Sequence, residues 1–265
     1  MNRLLAALLL VATVAGARAQ PVAPQAVEGI ALALPGRGEA YVERHAIGAL
    51  DHRIDYRAPD GTPIARLTLD YRCSDNAPAF EQHDLRNGAR IGARWQDGAY
   101  LLQHGDETRA LAPSVSLVAS SGFDRFVRGH WDALAAGRSI DLDFALPARL
   151  QTLRLRIARI EAPEALPGAT LWLRIVAAQP LLRAFVEPIE LAYDGDRALL
   201  LYRGLSNLPG ADGKAQSVEI RYRRLQAAQP GPEREIAANA PQPTEPAVDG
   251  DRRSAIATHC PGERS

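Results

Sequence analysis

The residues best suited to chemistry in this sequence are arginines near the middle of the chain. A guanidinium group binds a carboxylate or a phosphate through two parallel hydrogen bonds, so clustered arginines can hold an anionic ligand. Arg149 and Arg154 are candidates for such contacts. The simpler interpretation, which the sequence favours, is that Arg125 and Arg128 form exposed ion pairs with Asp124 or Asp132. The whole group comprises Arg125, Arg128, Arg149, Arg154 and Arg156.

Other polar groups carry weaker indications of chemistry. Asp141 and Asp143 are separated by one residue and share one face of a strand, a geometry that suits acid–base work or calcium binding. Charge on the solvent-facing side of a strand is the simpler explanation. The six histidines lie on separate segments without metal-ligand spacing, and no hydrolase or nucleotide-binding motif is present. We therefore predict a non-enzymatic protein with no catalytic residue, no cofactor and no metal. An unrecognised enzyme that uses the Asp and Arg residues around the helix is the third alternative.

The N-terminus, MNRLLAALLLVATVAGARAQ, has the organisation of a secretory signal peptide. Arg3 precedes an apolar run from Leu4 to Ala15, and the small-residue pattern ARA at 17–19 predicts cleavage before Gln20. The run is shorter than the roughly 20 apolar residues that cross a bilayer, and no later segment reaches that length. We expect a periplasmic protein that is soluble after cleavage and does not span a membrane.

Export bears on the two cysteines, Cys73 and Cys260, because it places them in an oxidising compartment. A disulfide between them is the favoured prediction. Two alternatives remain open from the sequence: free thiols, or a metal site that includes His259, although the spacing lacks the usual CxxC pattern. The balance of 31 basic and 31 acidic residues argues against a nucleic-acid partner, which would require a positive face.

One amphipathic helix is predicted between Gly122 and Gly137, with Ser120 or Ser121 as its cap. Apolar residues recur along it at spacings of three and four, which places them on one face. This stripe would either fill the core or line a ligand site. The predicted ligand-binding residues are Phe123, Phe126, Val127 and Trp131, together with Arg149 and Arg154.

Short segments of alternating apolar and polar residues surround the helix on both sides and predict half-buried antiparallel strands. Asn87-Gly88 and Asp97-Gly98 are strong hairpin signals between them. A sheet of about eleven strands would curl under its own twist. We therefore predict a mainly β fold in which one strongly curved antiparallel sheet, a half-barrel, wraps around the helix.

Composition divides the chain into four regions. They are the signal peptide at 1–19, a flexible lead-in at 20–38, the half-barrel domain at 39–225 and a disordered or loosely tethered tail at 226–265. The tail is rich in Pro, Ala, Gln and Glu, a composition that buries too little apolar surface to fold.

Three segments resemble a group of uncharacterised exported proteobacterial proteins. They are GFDRFVRGHWDALAAG, IDLDFALPARLQTLRLRI and PIELAYDGDRALLLYRGLSNL, and the resemblance extends from about Tyr41 to Tyr222. In architecture that group is similar to the half-barrel carriers of periplasmic lipoproteins, in which a curved antiparallel sheet surrounds helices. The resemblance implies a fold but no assigned chemistry.

The function expected from these observations is a soluble periplasmic binding or chaperone module. An apolar, lipid-like ligand would occupy the concave face of the sheet. The alternative is a non-enzymatic structural or interaction protein of the cell envelope, with a filled half-barrel and an envelope protein as its partner. A cavity of a few hundred cubic ångströms against the helix would favour the carrier.

Overall fold

The computed structural model describes residues 25–225 and Cys260. The predicted signal peptide lies outside these residues. So do residues 20–24 of the predicted lead-in and, apart from Cys260, the predicted tail.

A single sheet of fifteen strands dominates the described chain and confirms the mainly β prediction. The strand order is β8-β7-β6-β5-β4-β3-β2-β1-β15-β14-β13-β12-β11-β10-β9, so β8 and β9 form its two edges. All pairs are antiparallel except β9 with β10. The strands are β1 Gln25–Ala33, β2 Glu39–Ile47, β3 Asp51–Arg57, β4 Pro63–Asp70, β5 Ala79–Asp84, β6 Arg90–Gln96, β7 Ala99–His104, β8 Glu107–Leu111, β9 Leu117–Val118, β10 Ile140–Leu146, β11 Gln151–Ile160, β12 Ala169–Ala177, β13 Ile189–Asp194, β14 Leu199–Leu205 and β15 Ser217–Arg224.

Alternation of side chains determines which face of each strand is buried. In β3 the side chains of Ile54 and Tyr56 are buried, whereas Arg53 remains exposed and pairs with Asp55. Because successive side chains point to opposite faces, one face of the sheet becomes an apolar interior. The alternation predicted from the sequence is visible in the burial of β3, β4 and β11.

The sheet is curled, as its contacts show. The 3-10 turn Pro147–Arg149, which joins β10 to β11, packs against β6 and β7 from the other half of the sheet. Arg109 of β8 also donates a hydrogen bond to the carbonyl of Leu150 at 3.2 Å. Elements far apart in strand order therefore meet, and the inner face encloses two apolar clusters, one against β1–β7 and one against β9–β14.

The sheet has more strands than the sequence predicted, because β1, β8 and β9 were missed. The predicted flexible lead-in was wrong from residue 25 onward, since β1 pairs with both β2 and β15. Its inward residues include Gly29 and Ala31, which are too small to produce a visible apolar alternation. β8 is exposed along most of its length, and β9 has only two residues.

The predicted single helix consists of two helices, α1 Gly122–Gly129 and α2 Trp131–Ala135. At the break, the backbone amide of His130 is shared between the carbonyls of Phe126 and Val127, a tightening typical of helix ends. Gly129 also favours a break, because glycine is a weak helix former. Ser121 is the N-cap residue of α1, one of the two predicted, but its side chain makes no capping hydrogen bond. Gly137 ends α2 as predicted, at φ +82°.

A disulfide joins Cys73, which follows β4, to Cys260, with 4.9 Å between the two Cα atoms. The pairing predicted from the sequence is therefore present. Disulfides form in oxidising compartments, so the bond is consistent with an extracellular or periplasmic location. Within the described residues, no helix is both long enough and apolar enough to cross a bilayer.

Candidate functional site: the interior of the curled sheet

The apolar stripe of the helices lies against the inner face of the sheet. Phe126 and Val127 of α1 and Leu134 of α2 are at most 2% exposed. They pack in one cluster with inward residues of β10–β13, namely Leu142, Leu155, Ile157, Leu171, Leu173, Ile175, Leu191 and Tyr193. At these positions the helices fill the concave side of the sheet.

Two predicted aromatic residues lie at the margin of this cluster. Phe123 is partly exposed and packs edge to face against Phe144, with 6.2 Å between ring centroids. Trp131 is also partly exposed and contacts Tyr193 edge to face at 5.7 Å. The Arg197 guanidinium lies 5.3 Å from the Trp131 ring centroid. These rings therefore close the rim of the cluster and are less deeply buried than Phe126.

The two arginines predicted to bind a ligand lie apart from the helix stripe. Arg149 ends the turn Pro147–Arg149 and is exposed. Arg154 of β11 is on the outer face of the sheet, where it pairs with Asp143 at 3.0 Å. Because Leu142 points inward, its neighbour Asp143 points outward. The structure thus does not bring the six predicted residues together.

Most of the arginine group is engaged in ion pairs. Arg156 bonds to Asp141 at 2.7 Å on the outer face, and Arg128 pairs with Asp124 at 2.9 Å along α1. Arg125 departs from the expected helix-surface pairing. It pairs with Asp75, and its guanidinium lies 3.5 Å from the centre of the Tyr71 ring. Arg125 therefore ties α1 to the connection between β4 and β5.

Clefts occur elsewhere on the described part of the protein. An open cleft of about 830 Å³ is lined by Leu34, Pro35, Glu187 and residues of the loop 210–217. A smaller one of about 90 Å³ lies beside β3 and β4, near Leu85. Neither cleft touches α1 or α2.

The inner face also carries a buried polar chain that the sequence analysis did not identify. The Tyr222 hydroxyl donates a hydrogen bond to Glu43 Oε1 at 2.6 Å. His45 Nε2 lies 3.5 Å from the same carboxylate oxygen, and His45 Nδ1 lies 2.9 Å from His52 Nε2. The Glu43 side chain is only 5% exposed. We call Glu43, His45, His52 and Tyr222 the polar chain.

Two features bring the residues of the polar chain together: the alternation of side chains along the strands and the absence of a side chain at Gly29. Glu43 and His45 are inward positions of β2, and His52 is an inward position of β3. Gly29 of β1 lies opposite both Glu43 and Tyr222. A Cβ atom at Gly29 would approach Glu43 Cγ to 2.9 Å and Tyr222 Cε1 to 2.8 Å. The absence of a side chain there creates the space that the polar chain occupies.

Burial determines the protonation of His52, Tyr222 and Tyr56. It lowers the pKa of His52 from 6.5 to about 3, with smaller contributions from the charges of His45 and Arg125. It raises the pKa of Tyr222 and Tyr56 well above the usual value, and the negative charge of Glu43 acts in the same direction. His52 is therefore neutral and the tyrosines stay protonated as hydrogen-bond donors near neutral pH.

A second polar contact lies between α1 and the sheet. Asp124 Oδ1 and the Tyr193 hydroxyl are buried without a well-formed hydrogen bond among the described residues, but the charge of Asp124 adds to burial in raising the pKa of Tyr193. Burial raises the pKa of Asp124, although Arg128 opposes this shift. The other carboxylate oxygen of Asp124 pairs with Arg128, and about a third of the side chain remains exposed.

The polar chain is buried in the curled sheet, and none of its four residues lines either cleft. No group of three or more metal-ligand side chains among residues 25–225 and Cys260 has the geometry to hold a metal ion. Apolar alternation does not reveal Glu43, His45 and His52, because these polar residues occupy inward positions where the pattern predicts apolar side chains. Glutamate and histidine at successive inward positions of β2 are the sequence signal that points to Glu43 and His45.

Comparison with known proteins finds likeness to solved structures. No protein-family model matches the chain, and no curated protein matches it. A solved structure described as a β-barrel-like protein of domain of unknown function DUF1849 from Brucella abortus is similar to it, with 8% sequence identity and a TM-score of 0.48. The match covers 78% of this chain and 98% of that chain.

Proposed function

We propose that this chain is an exported, non-enzymatic interaction protein of the cell envelope, with its curled sheet serving as a filled scaffold. The observation that carries the proposal is the burial of Phe126, Val127 and Leu134 against the inner face of the sheet. A carrier of apolar ligands needs open space at that place. The clefts described above lie away from it.

The arrangement of charge supports the same proposal. Arginines that could have bound an anionic ligand are used within the fold. Arg203, for example, bonds to Glu219 at 2.8 Å, to Glu190 at 3.1 Å and to Glu164 at 2.7 Å. Such pairs connect neighbouring strands on the outer face. The signal peptide predicted from the sequence and the disulfide both support an envelope location.

Titration with a fluorescent long-chain fatty acid tests the filled interior. The exported, disulfide-bonded protein is expected to show no saturable binding of the probe. Saturable one-to-one binding would contradict the proposal, because it requires a ligand site in an interior that the proposal takes to be filled.

The carrier expected from the sequence remains a second candidate, and it is favoured by the partial exposure of Phe123 and Trp131. In a carrier these rings would line the entrance to an apolar site. Trp131→Ala distinguishes the two functions. For a filled scaffold it lowers stability and leaves probe binding absent, whereas for a carrier it weakens saturable binding that the wild-type protein shows.

A further inference from the structure

The connection between β12 and β13 exposes large apolar side chains. It contains the 3-10 turn Pro180–Ala184. Leu181 is 84% exposed and Phe185 is 85% exposed, and Leu182 between them is also exposed. We call residues 181–185 the apolar turn. Folded proteins usually bury such large apolar side chains in the core, but those of the apolar turn lie outside it.

The apolar turn is held in this shape by its own hydrogen bonds. The amides of Phe185 and Val186 both donate to the Leu182 carbonyl, at 3.0 Å each. Arg183 Nε donates to the Ala177 carbonyl at 3.0 Å, which fixes the turn to the end of β12. The display of Leu181 and Phe185 is therefore a feature of a structured turn.

Leu205 is a further exposed apolar side chain at the end of a nearby strand. Leu205, at the end of β14, is also exposed, and it pairs in register with Ser217 of β15. The Ser217 hydroxyl donates a hydrogen bond to Glu187, two residues beyond Phe185. This bond joins the chain that follows the apolar turn to the β15 residue that pairs with Leu205.

The size of this surface indicates what covers it. A stable protein interface engages roughly 20 to 30 residues on each side. The apolar turn and Leu205 supply only a few protruding side chains, which is too little for such an interface. Insertion into the boundary between lipid headgroups and acyl chains requires only a few bulky apolar side chains, usually with cationic neighbours.

The charges near the turn fit a lipid surface. Arg183 is the only charged residue between Pro180 and Val186. Because the strands alternate in direction, two other connections leave the sheet at the same end as the apolar turn: the one between β10 and β11, which carries exposed Arg149, and the one between β14 and β15, where Lys214 pairs with Asp212. The nearby acid Glu187 accepts a hydrogen bond from Ser217. Guanidinium groups suit lipid phosphates.

We propose that the apolar turn docks the protein on the surface of a phospholipid bilayer. Leu181 and Phe185 insert at the boundary of the acyl chains, and Arg183 contacts headgroup phosphates. This inference rests on the proposed envelope function and names the lipid surface as the partner. It concerns the outside of the sheet, so it is independent of whether the interior holds a ligand.

Co-sedimentation with vesicles tests the docking. The probes are vesicles of phosphatidylethanolamine with phosphatidylglycerol, and vesicles of phosphatidylcholine alone. Wild-type protein is expected to sediment with the first and more weakly with the second. The double substitution Leu181→Ser with Phe185→Ser should weaken binding at least about tenfold, because it removes both inserted side chains. Val115→Ser is the matched control, since Val115 is 97% exposed in a different loop, and should bind as the wild type does.

A fluorescent reporter keeps the test independent of folding. In Phe185→Trp, vesicles should shift the emission to shorter wavelength, whereas in Val115→Trp they should not. Absence of wild-type binding to both vesicles, or equal binding by the double serine variant, would overturn the proposal. So would a concentration-dependent dimer that the double substitution abolishes while vesicles remain unbound, because the apolar turn would then bind a second copy. None of these results depends on the fatty-acid titration, so the two proposals can fail separately.

Discussion

Glu43 shows how single residues determine the interior of this protein. Its carboxylate is kept inside the sheet by the hydroxyl of Tyr222 and lies near His45. Gly29 makes the space available. Burying a carboxylate costs free energy unless the carboxylate is hydrogen-bonded. The polar chain therefore depends on packing that holds the Tyr222 hydroxyl against Glu43.

Gly29→Ala should destabilise the protein by about 1 to 3 kcal/mol, the usual cost of overpacking a core. The new Cβ atom would lie 2.8 to 2.9 Å from atoms of Tyr222, Glu43 and Ile220. Urea unfolding measures the effect. Gly129→Ala is the matched control, because a Cβ atom there meets nothing within 4 Å. Equal midpoints for the wild type and Gly29→Ala would show that the interior is not tightly packed at Gly29.

His52 should make stability depend on pH. Its pKa is about 3 in the folded protein and 6.5 ordinarily. Between these values the unfolded chain binds a proton that the folded protein does not, so this contribution is fully present above the ordinary value and is lost as pH falls. From pH of about 7 to about 5 the loss should be about 2 kcal/mol.

The measurement is urea unfolding at several pH values, for the wild type and for His52→Gln. The variant should show a smaller decline over this range, while His104→Gln, which changes an exposed histidine, should decline as the wild type does. A decline that His52→Gln leaves unchanged would assign the pH dependence to other groups.

At the scale of elements, the two helices are held by apolar contact on one side and by Arg125 at one end. The sequence predicted the stripe correctly because Phe126, Val127 and Leu134 recur with helical spacing. The sequence did not predict the break at His130, because the break depends on a backbone amide that is shared between two carbonyl groups. Nor did it predict the Arg125–Asp75 pair, since Asp75 is distant in the chain.

Phe126→Ala should cost about 3 to 5 kcal/mol, because the side chain is buried between α1 and the sheet. Phe123→Ala is the matched comparison, with the same change at a partly exposed position. Its cost should be smaller by at least about 1 kcal/mol, in proportion to the smaller area removed from water. Thermal and urea unfolding of both variants provide the measurement. A larger cost at Phe123 would contradict the packing described for α1.

At the scale of the whole molecule, the sequence predicted one curled antiparallel sheet because most strands alternate clearly, as β3 does. It missed β1 because Gly29 and Ala31 contribute little apolar signal, although β1 joins the two halves of the sheet. It missed the polar chain because Glu43 lies where alternation predicts an apolar residue. Arg154 lies on the outer face beside Asp143, as the inward alternation of Leu155 and Ile157 along β11 implies.

The disulfide should stabilise the whole sheet. It joins residues separated by 187 positions, and a crosslink over so long a loop restricts the unfolded chain. Cys73→Ser with Cys260→Ser should lower the free energy of unfolding by about 2 to 5 kcal/mol. Comparison of oxidised and reduced wild-type protein checks the effect without substitution. Unchanged unfolding midpoints in both comparisons would show that the bond contributes nothing to the fold.

Native mass spectrometry of protein purified from its own host tests the central claim most directly, because a filled interior leaves no room for a resident ligand. The packing of Phe126, Val127 and Leu134 predicts the mass of the disulfide-bonded polypeptide alone. Lipid adhering to the apolar turn would be absent from the double serine variant at 181 and 185. A stoichiometric lipid that remains bound in that variant and is released on unfolding would contradict the account and assign the interior to a carrier.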